Sequence, residues 1–219
     1  MSALLFDLDG TMLVSDPIHE EVFRVLWAER GLPTPDGFYA NGILGRHNLD
    51  VFAEFLPDEP DPQALSETKE AAFRERLPRP YPAMPGLEAL LAEAKRHGWG
   101  VAVVTNAPRI NAEAMLSAIG VREAVDLLVI GDECARAKPD PEPYLTAMRE
   151  LGETPATSLA FEDSPSGIRA AKAAGLHTLA LRSTLDDAAL RAAGADATLT
   201  DFTDPALPAH LARLTGDTP

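Results

Sequence analysis

Cysteine is almost absent: Cys134 is the only one among 219 residues. An internal disulfide is therefore excluded, and so is a cysteine-rich metal cage. The thiol reads as an ordinary buried or half-buried side chain. Basic residues are also scarce, 19 Lys and Arg against 34 Asp and Glu, which leaves a formal charge of −15. A surface of that sign repels nucleic acid and anionic membranes, so neither is expected as a partner. No apolar run is long enough to cross a bilayer, and the start carries no signal-peptide pattern. A cytoplasmic protein, monomeric or weakly dimeric, is the expectation. Internal repeats and low-complexity tracts are lacking as well. What is present is ample apolar material, 46% of residues, enough for one core or a core with a small satellite domain.

The chain is organised around its opening, Ala3-Leu4-Leu5-Phe6-Asp7-Leu8-Asp9-Gly10-Thr11. A short apolar run without alternation reads as a strand buried on both faces. It stops at two aspartates one residue apart. Neighbouring anions repel, so such a pair either raises one pKa or recruits a cation. Gly10 allows a bend there, and a plain strand-to-turn junction would use the same residues.

Asp16-Pro17 then reads as an N-cap followed by a first-turn proline. Helical spacing continues over 18–30, 49–55 and 62–76, with no intervening strand pattern. From Pro85-Gly86 the texture changes. Helical patterns over 87–96, 110–118, 142–151, 166–174 and 186–193 alternate with apolar runs at 101–104, 127–130, 158–161, 177–181 and 197–199. Such alternation predicts an α/β fold, a Rossmann-like parallel sheet with helices on both faces. Residues 1–15 and 85–219 would form this core, and 16–84 an inserted all-helical domain. The tail after Leu214 reads as frayed.

Open parallel sheets bind ligands beyond the carboxyl ends of their strands. Asp7 and Asp9 follow the first run, Thr105 and Asn106 the second, Lys138 the third, and Glu162, Asp163 and Ser164 the fourth. Singly, Thr105 and Asn106 read as a helix cap, Lys138 as a solvated charge and Ser164-Pro165 as a helix start. Four successive strand ends bearing such groups point instead to one shared mouth.

In order, Asp-Leu-Asp-Gly-Thr at 7–11, Thr105-Asn106, Ala137-Lys138-Pro139-Asp140-Pro141 and Phe161-Glu162-Asp163-Ser164 with Gly167 resemble the four motifs of the haloacid dehalogenase-like hydrolase superfamily. The inserted block resembles its helical cap, and Ser15-Asp16-Pro17-Ile18-His19 is similar to the hinge of the beta-phosphoglucomutase and phosphoglycolate phosphatase branch. Val14 departs from that pattern, since many relatives carry an acid there. The resemblance implies a Mg²⁺-dependent phosphatase acting on a small phosphorylated metabolite, a sugar phosphate or phosphoglycolate-like acid. In it Asp7 is the nucleophile and Asp9 the general acid–base. Asp7, Asp9 and Asp163 hold Mg²⁺, with Glu162 acting through water. Thr105 and the Asn106 backbone hydrogen-bond the phosphoryl oxygens, and Lys138 neutralises charge between phosphate and Asp7. In the cap, Arg46 and His19 are the candidates for binding substrate, although Gly45-Arg46-His47-Asn48 also reads as a turn with Asn48 capping the next helix.

A beta-phosphoglucomutase-type phosphomutase shares this core and is the nearest alternative. Dehalogenation needs no second aspartate, and Asp9 is kept. Phosphonate cleavage in a related branch uses a cap lysine, and the only one here, Lys69, lies on a charged helix away from the Gly45 turn. A phospho-acceptor signalling domain also uses Asp, Thr and Lys around Mg²⁺, but lacks a large helical insertion after its first strand.

Overall fold

The computed structural model describes residues 2–215, so most of the tail after Leu214 lies outside it. The chain divides into two compact units, one of residues 1–14 with 80–219 and one of residues 15–79.

In the first unit six parallel strands form one sheet among the described residues: β1 (Ala3–Phe6), β2 (Gly100–Thr105), β3 (Leu127–Ile130), β4 (Ser158–Glu162), β5 (His177–Leu181) and β6 (Ala197–Leu199). Their order is β3-β2-β1-β4-β5-β6. Strand β1 is wholly buried at the centre, as its unbroken apolar run requires. Leu5 pairs with Ala102 on one side and Ala160 on the other. The chain leaves β1 for β2 and β3, then crosses back to β4 on the opposite flank. The crevice between β1 and β4 is therefore the switch point where such sheets bind ligands.

The helices, in chain order, are α1 (Asp16–Glu29), α2 (Phe38–Gly42), α3 (Asn48–Phe55), α4 (Pro62–Arg76), α5 (Leu87–His97), α6 (Arg109–Ala118), α7 (Glu142–Leu151), α8 (Pro165–Ala173), α9 (Asp187–Ala192) and α10 (Leu207–Thr215). Successive strand residues point to opposite faces. Leu5, Ala102, Val104 and Ala160 meet Tyr144, Ala147 and Met148 of α7 and Ala170 and Ala171 of α8. Phe6 and Phe161 point the other way and stack at 4.8 Å, with Phe202 edge-on to both. Helices cover both faces, as predicted. Helices α2 and α10 were not anticipated.

The second unit is helical, and α1 packs on α4, as α3 does. Its core gathers Phe23, Trp27, Tyr39, Val51, Phe52 and Leu65. Phe23 and Trp27 meet edge to face at 5.2 Å, the geometry ring quadrupoles favour. Two cap readings need correction. The N-cap of α1 is Ser15, with Asp16 already the first helical residue. His47, not Asn48, is the N-cap of α3. In both places a second polar residue next to the boundary moved the apparent start by one position.

Candidate active site

The strand ends bring Asp7, Lys138, Glu162 and Asp163 together. Asp7 continues β1, and its backbone N–H still donates to Phe161 O of β4 at 2.8 Å, which sets it level with Glu162. Lys138, 131 residues further on, donates from Nζ to Asp7 Oδ1 at 2.6 Å and to Glu162 Oε1 at 2.7 Å. Carboxylate oxygens of Asp7, Glu162 and Asp163 lie within 4.8 Å of one another, and all three residues are buried. Asp9 is half-buried at the turn after β1, where its backbone bridges to Leu13. Gly10 in that turn has φ +74°, and a Cβ there would lie 2.0 Å from Asp163 Oδ2. A side chain at position 10 would thus displace the third carboxylate.

Glu162 is fully engaged. Oε1 also accepts from the Tyr144 hydroxyl at 2.7 Å, and Oε2 accepts from Asp163 N and Ser164 Oγ at 3.3 and 3.2 Å. A Cβ on Gly167 would fall 1.8 Å from Glu162 Oε1, so the start of α8 must be bare there. Ser164 caps that helix as predicted, accepting from Gly167 N at 3.1 Å. Thr105 ends β2, buried, and its Oγ1 accepts from Ala107 N at 3.0 Å, which turns the hydroxyl proton toward another acceptor. Asn106 uses its carboxamide on the main chain of Lys138.

The charges do not balance. Three buried carboxylates face one ammonium, so a divalent cation would neutralise the excess, and an all-oxygen donor set suits a hard cation. Burial pushes the Asp7 carboxyl up to about 8 against the pull of Lys138. Burial works against the Lys138 charge too, but Asp7 and Glu162 outweigh it and hold the ammonium above the usual lysine range. The Tyr144 hydroxyl, buried beside Glu162, is raised well above its ordinary value. The charge surplus and the raised Asp7 carboxyl fit a site built around a metal ion.

Sequence reasoning missed Tyr144, Ser183 and Thr184. The last two direct hydroxyls to Asp163 Oδ2 at 3.4 and 3.5 Å from the loop after β5. Tyr144 lies on the apolar stripe of α7 with Ala147 and Met148, and a tyrosine in such a stripe needs a partner for its hydroxyl. That was a usable signal.

The two candidates of the helical unit are engaged within it. The Arg46 guanidinium donates to Gly42 O at 2.7 Å and pairs with Glu54 at 2.7 Å. His19 stacks on Phe73 at 4.0 Å and shares a hydrogen bond with Lys69 Nζ at 2.9 Å. Lys69 is buried rather than solvated, and it also donates to Glu70 at 2.8 Å.

An acid-rich crevice with one buried lysine, at the switch point of a parallel sheet, defines a phosphoryl-handling hydrolase of the α/β class. A haloacid dehalogenase-like hydrolase profile matches residues 1–175, and the chain belongs to that family, in its beta-phosphoglucomutase and phosphoglycolate phosphatase branch. It is 34% identical to validoxylamine A 7'-phosphate phosphatase of Streptomyces hygroscopicus subsp. limoneus, over 91% of this chain and 93% of that one. It is 36% identical to a plasmid-borne phosphoglycolate phosphatase of Cupriavidus necator, over 83% and 80%. A crystal structure of a CbbY variant from Rhodobacter sphaeroides in complex with xylulose-(1,5)bisphosphate superposes with a TM-score of 0.77 at 31% identity, covering 92% of this chain and 95% of that one. The chain is an enzyme, a phosphoric monoester hydrolase. No described helix is long and apolar enough to cross a membrane.

Proposed function

We propose that the protein is a Mg²⁺-dependent phosphatase that hydrolyses a small phosphorylated metabolite, a sugar phosphate or phosphoglycolate-like acid, through an aspartyl-phosphate intermediate. The carrying observation is the buried Asp7–Lys138 contact of 2.6 Å beside two further carboxylates. Asp7 attacks phosphorus, its Oδ1 oriented by Lys138. Asp9 protonates the leaving alkoxide and then takes a proton from the water that opens the acyl phosphate. The Thr105 hydroxyl and the Asn106 backbone N–H donate to phosphoryl oxygens, and Lys138 offsets the charge that builds between phosphate and Asp7. Asp7, Asp9 and Asp163 would hold Mg²⁺, and Glu162 would support them while staying bound to Lys138. When bound, the ion supplies charge neutralisation for the transferring phosphoryl group. The helical unit acts as the cap that selects substrate, with Arg46 and His19 as its candidate contacts.

The likeness to phosphatases named for validoxylamine A 7'-phosphate and for phosphoglycolate supports a small polar phosphate ester over a macromolecular one. Released phosphate is measured for sugar phosphates, sugar bisphosphates and phosphoglycolate with Mg²⁺. Turnover of at least one ester that is lost in Asp7→Asn is expected. Conversion of beta-glucose 1-phosphate to the 6-phosphate without phosphate release would establish the phosphomutase instead.

A further inference from the structure

Asn106 closes both ends of its carboxamide on a single residue of another loop. Its Nδ2 donates to Lys138 O at 3.0 Å and its Oδ1 accepts from Lys138 N at 3.2 Å. This is the pairing one strand residue offers another, supplied here by a side chain. The segment from 134 to 141 that carries Lys138 has no helix or strand of its own, so neighbouring strands do not fix its main chain. Yet Lys138 must deliver its ammonium to within 2.6 Å of Asp7 at the end of four flexible methylenes. We infer that Asn106 is a positioning residue, whose carboxamide clamps the Lys138 main chain so that the ammonium reaches Asp7 and Glu162.

A second feature makes room for the clamp. Gly131 follows β3, and a Cβ there would lie 2.2 Å from Asn106 Oδ1 and 3.0 Å from the Ala137 Cβ. The bare backbone at 131 is thus the slot in which the carboxamide sits. Thr105, one residue earlier, stays available to the phosphoryl group, so adjacent residues at the end of β2 divide the work. Thr105 faces the reaction, and Asn106 faces the loop that brings the cation. The inference rests on the phosphatase reading for its kinetic consequence, but not for its structural one.

The test is a double-mutant cycle on hydrolysis of p-nitrophenyl phosphate with Mg²⁺, joined to crystal structures of the variants. Lys138→Ala is expected to lower kcat by about 10²–10³-fold, as removal of one transition-state donor does. Asn106→Ala is expected to lower kcat by about 10–10²-fold, the scale of a small misplacement, with KM held within about twofold. The double variant should match Lys138→Ala within about twofold, because both changes act through one ammonium. The Asn106→Ala crystal structure should show Lys138 Nζ more than about 4 Å from Asp7 Oδ1, outside ion-pair range. Losses that multiply, or a raised KM with kcat unchanged, would make Asn106 a direct substrate contact and overturn the inference. So would a Lys138–Asp7 contact that survives in the crystal. Gly131→Ala, which pushes the carboxamide out while leaving Asn106 in place, should reproduce the displacement, and it carries the test if Asn106→Ala fails to fold. A wild type that hydrolyses no ester would sink the phosphatase reading alone, since the crystallographic comparison still decides the clamp.

Discussion

Two lysines are buried among the described residues, one in each unit, and their surroundings differ in one respect that matters. Lys138 in the α/β unit touches Asp7 and Glu162, with Asp163 close by. Lys69 in the helical unit touches one acid, Glu70, and one imidazole, His19, and lies 5.0 Å over the Phe23 ring. Burial alone would raise the Glu70 carboxyl, but Lys69 holds it below the usual range, and Asn48 adds a hydrogen bond at 2.7 Å. The helical cluster is locally neutral and satisfied. The core cluster carries surplus negative charge, and a buried surplus is tolerated where a ligand completes it. Charge balance, rather than burial, separates the chemical site from the structural tie.

The largest expected effect follows from the surplus. Asp7→Asn should reduce turnover by about 10⁴-fold or more, the scale seen when a nucleophile is removed. In Mg²⁺-free buffer at pH 7 the same variant should melt about 2–4 °C higher, because the Asp7 carboxyl, which burial pushes up to about 8, no longer has to take up a proton on folding. A lower melting point would show that the surplus costs nothing. Next in size is the balanced cluster. Lys69→Met leaves Glu70 buried without its cation and should cost about 3 kcal/mol in urea unfolding. A change below about 0.5 kcal/mol would place Lys69 among solvated surface charges. Third, saturating Mg²⁺ should stabilise the wild type by about 2.7 kcal/mol at a hundredfold excess over its dissociation constant. That gain should vanish in Asp163→Asn and persist in Lys69→Met.

The smallest effect concerns a third cluster, at the far end of β5. His177 Nε2 and His210 Nδ1 share a hydrogen bond of 3.1 Å, and Asp196 lies 3.5 Å from the other nitrogen of His177. Burial lowers both histidines below the usual 6.5, with Arg213 acting in the same direction on each. The unfolded chain therefore binds their protons more tightly. The stabilisation is present above pH 6.5 and is lost as pH falls through the depressed folded values. Urea midpoints should fall between about pH 7.5 and pH 5, and His210→Gln should flatten that slope. An unchanged slope would remove the pair from the account.

Much of this was legible because parallel α/β architecture ties function to strand ends. Five apolar runs and the opening strand gave the sheet, and the polar residues after four of them gave the crevice. Pairings that cross helices were hidden. Nothing in a charged helix marks Lys69 as buried, since its imidazole partner lies 50 residues away on α1. Asn106 was expected to meet the phosphoryl group through its backbone N–H, and adjacency to Thr105 carries no information about which way its carboxamide turns. Nothing in the sequence shows that the bare backbone at Gly131 and Gly167 leaves space for Asn106 and Glu162. Periodicity reports burial on one element, and these close approaches join two.

The central claim is that Asp7 carries the phosphoryl group. Enzyme quenched in acid during turnover of a good ester and then reduced with borohydride converts any aspartyl phosphate to homoserine, which peptide mass spectrometry locates. The account predicts homoserine at position 7 and unmodified aspartate at 9 and 163. Label at either of those positions, or steady turnover with none at position 7, would contradict it.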